Sequence, residues 1–347
     1  MPQPLARAAL AVVTATAAAV GVTACGGSTD TSSSSVATVK LGFFPNVTHA
    51  TAIVGVQEGL FAKRLGATKL TTSPFSAGPA AMEALKSGAV DATFIGPGPA
   101  TNGFINTGGQ AVRIVAGAAS GGAELVVSRS IKTVADLRGK KLATPQLANT
   151  QDIALRYYLL TKGLKTDLQG GGDVNIVPTE NATVTDAFTQ KLVVGAWVPE
   201  PYATKLVKAG GHVLVNEASL WPGGRFATTV LAVRTDFLKQ HPDTVKALLR
   251  GELDATAFIK KSPSKAQQDV ADLITRLSGK PLKVSLVAAA WKNLSFTVDP
   301  VASSILTGAD HAVAVGILKR KPDLATMVDL APLNSLLKAA GAPAVTP

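Results

Sequence analysis

Apolar and polar positions along the chain switch repeatedly between the two-residue period of a strand and the 3.6-residue period of a helix. Val39-Lys40-Leu41-Gly42-Phe43-Phe44 is an apolar run of strand length that stops at the polar loop Pro45-Asn46-Val47-Thr48-His49. Residues 50–60 then carry small and aliphatic side chains at helical spacing, with Gly59 as the stop. The alternation continues as a strand over 69–72, a helix over 78–86 and a buried strand over 89–95. The Gly96-Pro97-Gly98-Pro99 loop breaks that strand, and a helix over 100–106 and a strand over 112–117 follow. Further on, 130–137 reads as a loop with a helical turn, and Gly139-Lys140-Lys141-Leu142-Ala143 as a turn into a strand. The polar stretch 144–152 leads into a helix over 153–162. Strands alternating with helices over short connections imply an α/β fold, with mostly parallel sheets flanked by helices.

An internal echo adds architecture. Residues 84–100 lie over 187–203 without a gap, each reading as a helix end, a buried strand ending in an aromatic-aliphatic pair, and a proline-broken loop that opens a helix. Two lobes of like construction follow from this. In open α/β sheets ligands bind beyond the carboxyl ends of the strands, so the loops after Phe44, Ile95 and Val198 are the expected walls of a cleft between lobes.

Composition bears on location and stability. The 347-residue chain has one cysteine, Cys25, directly after an apolar Ala/Val-rich run that holds Arg7 as its one charged side chain. Residues 1–24 therefore read as an export signal, too short and Ala-rich for a permanent span. The small residues Val22-Thr23-Ala24 before Cys25 resemble a bacterial lipobox, which makes Cys25 the expected lipidation site and residues 25–38 a Ser/Thr/Gly tether. A single cysteine excludes an intrachain disulfide, so core burial alone must stabilise the fold. Hydrophobic residues are 46% of the chain but aromatics only 5%, which makes an Ala/Val/Leu/Ile core. The net charge of +11 is scattered, an arrangement that suits anionic ligands or a membrane surface better than a nucleic acid.

Catalytic constellations are hard to find in the sequence. His49, His212, His241 and His311 have no metal-ligand neighbour at helical spacing, and no nucleophile elbow, phosphate loop or dinucleotide fingerprint occurs. Neither an enzyme nor a metal or cofactor is expected. Thr144 to Asp152 gathers hydroxyl and amide groups at a helix start, where free N–H groups attract an anion. The same residues also serve as an ordinary N-cap. Glu200, between two prolines, reads as a capping or hinge residue or as an acid of raised pKa.

Four ordered segments carry a family resemblance. Gly88-Ala89-Val90-Asp91-Ala92, residues 133–143, Trp197-Val198-Pro199-Glu200-Pro201-Tyr202-Ala203 and residues 233–243 together resemble the solute-binding proteins of ABC importers, in the branch serving alkanesulfonates, taurine and nitrate. The chain departs from that branch at Lys191-Leu192-Val193-Val194-Gly195-Ala196, where a second Gly-x-Val-Asp-Ala pattern is usual. The resemblance implies a two-lobed periplasmic-binding-protein-like fold of type II, with lobe 1 over 39–122, lobe 2 over 123–229, and a return of lobe 1 with C-terminal helices over 230–347. It implies a monomer that captures a small anion, foremost an aliphatic sulfonate, for an ABC permease, held on the extracytoplasmic face of the cell membrane by the lipid anchor. Nitrate, bicarbonate or a pyrimidine precursor, an enzyme on the same fold, and a receptor serving a membrane sensor are the alternatives. A buried anion needs compensating donors. The candidates are Asn46, Thr48, His49, Gly96, Gly98, Ser120, Gly121, Gln146, Asn149, Thr150, Glu200 and Arg225, with Trp197 and Phe226 as apolar walls.

Overall fold

Residues 36–346 are described by a computed structural model, so Cys25 and the signal segment lie outside the described residues. The strands are β1 (Thr38–Phe43), β2 (Lys69–Pro74), β3 (Ala92–Ile95), β4 (Val112–Gly121), β5 (Ala123–Val127), β6 (Lys141–Thr144), β7 (Asn175–Pro178), β8 (Gly195–Pro199), β9 (His212–Asn216), β10 (Ala227–Arg234) and β11 (Leu294–Phe296). They form a six-stranded sheet in the order β11-β4-β10-β3-β1-β2 and a five-stranded sheet in the order β7-β6-β8-β5-β9. Among the described residues no helix is long and apolar enough to cross a membrane.

The echo in the sequence is a topological equivalence. In the first sheet β1 pairs in parallel with β2 and β3, and β3 pairs antiparallel with β10. In the second, β6 pairs in parallel with β7 and β8, and β8 pairs antiparallel with β5. Strand β10, which follows the second set of βα units in the chain, thus sits in the first sheet, while β5, which follows the first set, sits in the second. Each lobe is completed by a strand that comes after the other lobe's last crossover. The chain passes between lobes twice, at Gly121-Gly122 and again between β9 and β10.

The first crossing is built for close approach. Gly121 and Gly122 have φ of 82° and 70°, left-handed values that a side chain would strain, and a Cβ on Gly121 would stand 2.7 Å from the Asn293 carbonyl oxygen. The return strand starts at Ala227, inside the stretch expected to close lobe 2 at residue 229. Ala227 and Thr229 already pair with Ser120 and Ala119 of β4 there.

Three other boundaries differ from the sequence expectation for identifiable reasons. The Gly96–Pro99 segment is the first turn of the helix Pro97–Asn106 rather than a loop, because proline lacks only an N–H that has no intrahelical partner at that position. The helix expected over 153–162 begins at Thr150, where Asn149 caps it by accepting the Asp152 amide N–H at 2.8 Å. The 50–60 helix is broken by Gly59, φ 64°, into Ala50–Gln57 and Leu60–Leu65.

The helix Pro242–Lys261 packs its apolar stripe, including Val245, Leu248, Leu249 and Ile259, on the first lobe's core beside Ile53, Val54 and Phe61. Into that stripe it carries Glu252, fully buried, with neither carboxylate oxygen hydrogen-bonded; the Thr51 hydroxyl lies alongside without completing a bond. Burial pushes the Glu252 carboxyl well above its ordinary range. A carboxyl raised in the fold contributes stability at pH below its unfolded value and loses it as pH rises through the folded value. Glu252→Gln is therefore expected to melt with wild type near pH 4 and above it at pH 8, by at least about 1 kcal/mol, or a few degrees. A lower melting point at pH 8 would mean the carboxylate has a partner.

Candidate functional site

The carboxyl ends of the parallel strands β1, β3, β6 and β8 point toward the junction of the lobes, and the helices that follow them start there. A cavity lies at this junction. Nine of the fifteen residues lining it stand at helix starts. His49 precedes Ala50–Gln57, Ala77 and Gly78 open Gly78–Lys86, Gly96 and Pro99 open Pro97–Asn106, Asn149 to Gln151 open Thr150–Thr161, and Asn181 opens Asn181–Thr189. Asn46, Thr48 and Thr228 complete the polar surface, with Phe44, Pro145 and Pro199 between. Five helix N-termini thus face one space, three from the first lobe and two from the second, while none of the described residues lining it carries a formal charge.

The donors are held in fixed states. Burial pushes His49 down to about 3, so its imidazole is neutral at pH 7. Nδ1 accepts the Phe44 amide N–H at 3.2 Å, which puts the ring proton on Nε2 as a donor, and the ring stacks on Phe44 with centroids 4.4 Å apart. Across the cavity, the 144–152 loop is pinned by the fully buried Asp152. It accepts from the Thr144 hydroxyl (3.0 Å), the Ala148 amide (2.9 Å) and the Arg156 guanidinium (3.0 Å). Thr150 Oγ1 accepts the Gly98 amide N–H at 3.1 Å, a hydrogen bond from one lobe to the other. The Asn181 Oδ1 atom is buried without a partner.

Of the sequence candidates, Asn46, Thr48, His49, Gly96, Asn149 and Thr150 are brought together here, with Gly98 beside them through Thr150. Gln146 sits in the same loop but does not line the cavity, and its Oε1 is buried without a partner. The others stand elsewhere. Trp197, expected as an apolar wall, is fully buried in the second lobe's core and donates its indole N–H to Glu217 at 2.7 Å, because β8 turns that face away from the junction. Glu200 caps the helix Tyr202–Lys208 by accepting from Thr204 N (3.1 Å) and Oγ1 (2.8 Å). It also ties the lobes by accepting from Asn293 Nδ2 at 2.7 Å. Burial raises its pKa. Arg225 pairs with Asp299 at 2.5 Å on the surface, beside a separate hinge-side groove that also holds Ser120 and Gly121. Phe226 lines a second cavity behind the first.

Sequence reasoning missed Asn181, Gln151 and Thr228. Asn181 follows β7 at a helix start, so the strand-end rule that found Asn149 reaches it. Thr228 lies one residue into a return strand whose start was set too late.

A model described as the NMT1-like family matches residues 32–275. The taurine-binding periplasmic protein of Escherichia coli (strain K12) is 30% identical over 233 residues, 66% of this chain and 70% of that protein. Among solved structures, the periplasmic nitrate-binding protein NrtA from Synechocystis PCC 6803 superposes with a TM-score of 0.75 at 16% identity, over 89% of this chain and 90% of that one. The alkanesulfonate-binding protein SsuA from Xanthomonas axonopodis pv. citri, bound to MOPS, gives 0.71 at 20% identity, over 84% and 98%. The two-lobed arrangement is the periplasmic-binding-protein fold.

Since His49 is depressed from 6.5 to about 3, its neutral form contributes stability above pH 6.5 that is lost as pH falls toward 3. By pH 5 the loss is about 2 kcal/mol, at roughly 1.4 kcal/mol per unit below 6.5. His49→Gln is expected to shrink the difference in unfolding free energy between pH 7 and pH 5 by about that amount. An unchanged difference would mean that His49 takes up its proton in the folded state.

Proposed function

The chain belongs to the NMT1-like family, and from that membership we propose that it is the solute-binding component of an ABC importer with a small organic monoanion, foremost an aliphatic sulfonate, as its cargo. The observation that carries the reading is the ring of five helix N-termini around a cavity lined without a charged side chain. Aligned peptide dipoles and unpaired amide N–H groups favour negative charge, and the His49 Nε2–H, hydroxyl and amide donors replace lost hydration. A second negative charge would be buried without a cation, which disfavours dianions such as sulfate. The taurine-binding and alkanesulfonate-binding names of its relatives support an organic group on the anion.

Transport follows from closure. The solute makes contacts with both lobes, so it binds the closed arrangement better than the open one and shifts the population toward it. A permease then reads the closed form. The Cys25 lipid anchor, an extracytoplasmic location on the cell membrane and a monomeric state belong to the same reading. Binding without turnover accords with relatives named as binding proteins.

Calorimetric titration of a soluble protein starting after Cys25 is expected to give one-to-one binding of ethanesulfonate. Sulfate should bind far more weakly. Taurine, whose ammonium would meet no carboxylate in the cavity, should be weaker than ethanesulfonate by at least about tenfold, or ~1.4 kcal/mol. Binding of sulfate in preference to any sulfonate would sink the reading, and taurine binding more tightly than ethanesulfonate would place an acid where none lines the cavity.

A further inference from the structure

Behind the wall formed by Gly96-Pro97-Gly98-Pro99 and Thr150 lies a second cavity, of different chemistry from the first. Ile153 of the second lobe, Trp221 and Phe226 of the return crossing, and Ile305 and Leu318 of the first lobe give it an apolar, partly aromatic surface. The Trp221 and Phe226 rings lie nearly parallel with centroids 5.8 Å apart, and the His311 ring stacks on Tyr157 at 3.5 Å along the same seam between the lobes.

One buried acid is set into this apolar wall. Glu217 is 1% exposed. Its Oε2 accepts the Trp197 indole N–H at 2.7 Å, a full hydrogen bond, whereas Oε1 has only the Trp221 indole N–H at 3.4 Å, at the edge of hydrogen-bonding distance. A carboxyl oxygen with acceptor capacity to spare, in a wall of flat apolar groups, is a recognition element for a donor on a flat apolar body. The solute reading makes no use of this cavity, and the cavity does not depend on that reading.

We propose that this second cavity is a binding site for a small aromatic molecule bearing an N–H donor, for which indole is the probe, and which stacks beside Trp221 and Phe226 and donates to Glu217 Oε1. Because its walls come from both lobes, an occupant bridges them. Stacking and burial supply the affinity, and the hydrogen bond selects among aromatic bodies of equal shape.

Gly308 provides the test. It lines the cavity from the helix Ala302–Ala314, and a Cβ built on it meets no atom within 4 Å outside its own helix backbone, so substitution there begins without a clash at the cavity wall. Ligand-observed NMR and thermal melting are run with indole and with benzofuran, its isostere lacking the N–H, on wild type and on Gly308→Trp. Indole is expected to bind wild type at least about fivefold more tightly than benzofuran, and to lose at least tenfold in affinity for a Gly308→Trp protein that still melts cooperatively. No indole binding to wild type overturns the site. Equal affinity for benzofuran overturns the donor class, and undiminished binding to a folded Gly308→Trp protein places the indole elsewhere. Should Gly308→Trp fail to fold, the intermolecular nuclear Overhauser contacts of indole in wild type decide between Trp221 and Phe226 and any other surface.

Discussion

The Gly98 amide holds the two lobes in register. It stands in the first turn of a helix, where backbone N–H groups have no intrahelical partner, and its neighbours Pro97 and Pro99 have no N–H at all. The one donor of that turn is thus free to reach across the junction, and it donates to Thr150 Oγ1 at 3.1 Å. Thr150 in turn begins a helix of the other lobe, Thr150–Thr161. The approach leaves no room for side chains: a Cβ on Gly96 would stand 2.6 Å from Thr150 Oγ1, and one on Gly98 would stand 3.0 Å from the Thr150 nitrogen. The alternation Gly-Pro-Gly-Pro is therefore a device with two functions. Its glycines admit the other lobe, and its prolines start a helix there without adding competing donors.

Everything that makes the cleft follows from where the exchanged strands put that contact. Strands β5 and β10 each complete the opposite lobe, so the two crossings lie side by side and the ends of the parallel strands converge beside them. Helices that follow parallel strands must begin at those ends, and the junction accumulates helix N-termini as a result. Positive potential then arises from the backbone, with no cation required. The nearest buried ion pair, Asp152 with Arg156, faces the loop that it pins rather than the cavity, and so serves geometry.

Much of this was legible in the chain. Strand and helix alternation gave the α/β class, and the match of 84–100 to 187–203 gave the duplicated lobes because both segments hold the same topological place, β3 and β8. Strand-end loops gave Asn46, Thr48, His49, Asn149 and Thr150, since polar residues gather where a strand ends and a helix begins, although capping alone also places Asn149 there. Side-chain direction was not legible. Trp197 and Phe226 read as equivalent apolar walls, yet one residue of register on a strand decides which face a side chain takes, and burial in a core, in a cleft or behind it looks alike in sequence. Arg225 was equally ambiguous, because its partner Asp299 lies far along the chain. Asn181 was missed because its segment has a weaker apolar pattern, although the same rule applies to it.

The central claim is that a solute is gripped by lobes closing through the helix starts at Gly98 and Thr150. Amide hydrogen exchange at Gly98 tests it most directly, because within its own helix that N–H has no partner and its protection reports on the contact between lobes alone. Saturating ethanesulfonate should slow Gly98 exchange by at least about tenfold relative to the solute-free protein, with the core strands β1 and β6 unchanged. Solute binding that left Gly98 exchange as fast as before would contradict closure at this contact and, with it, the placement of the solute between the lobes.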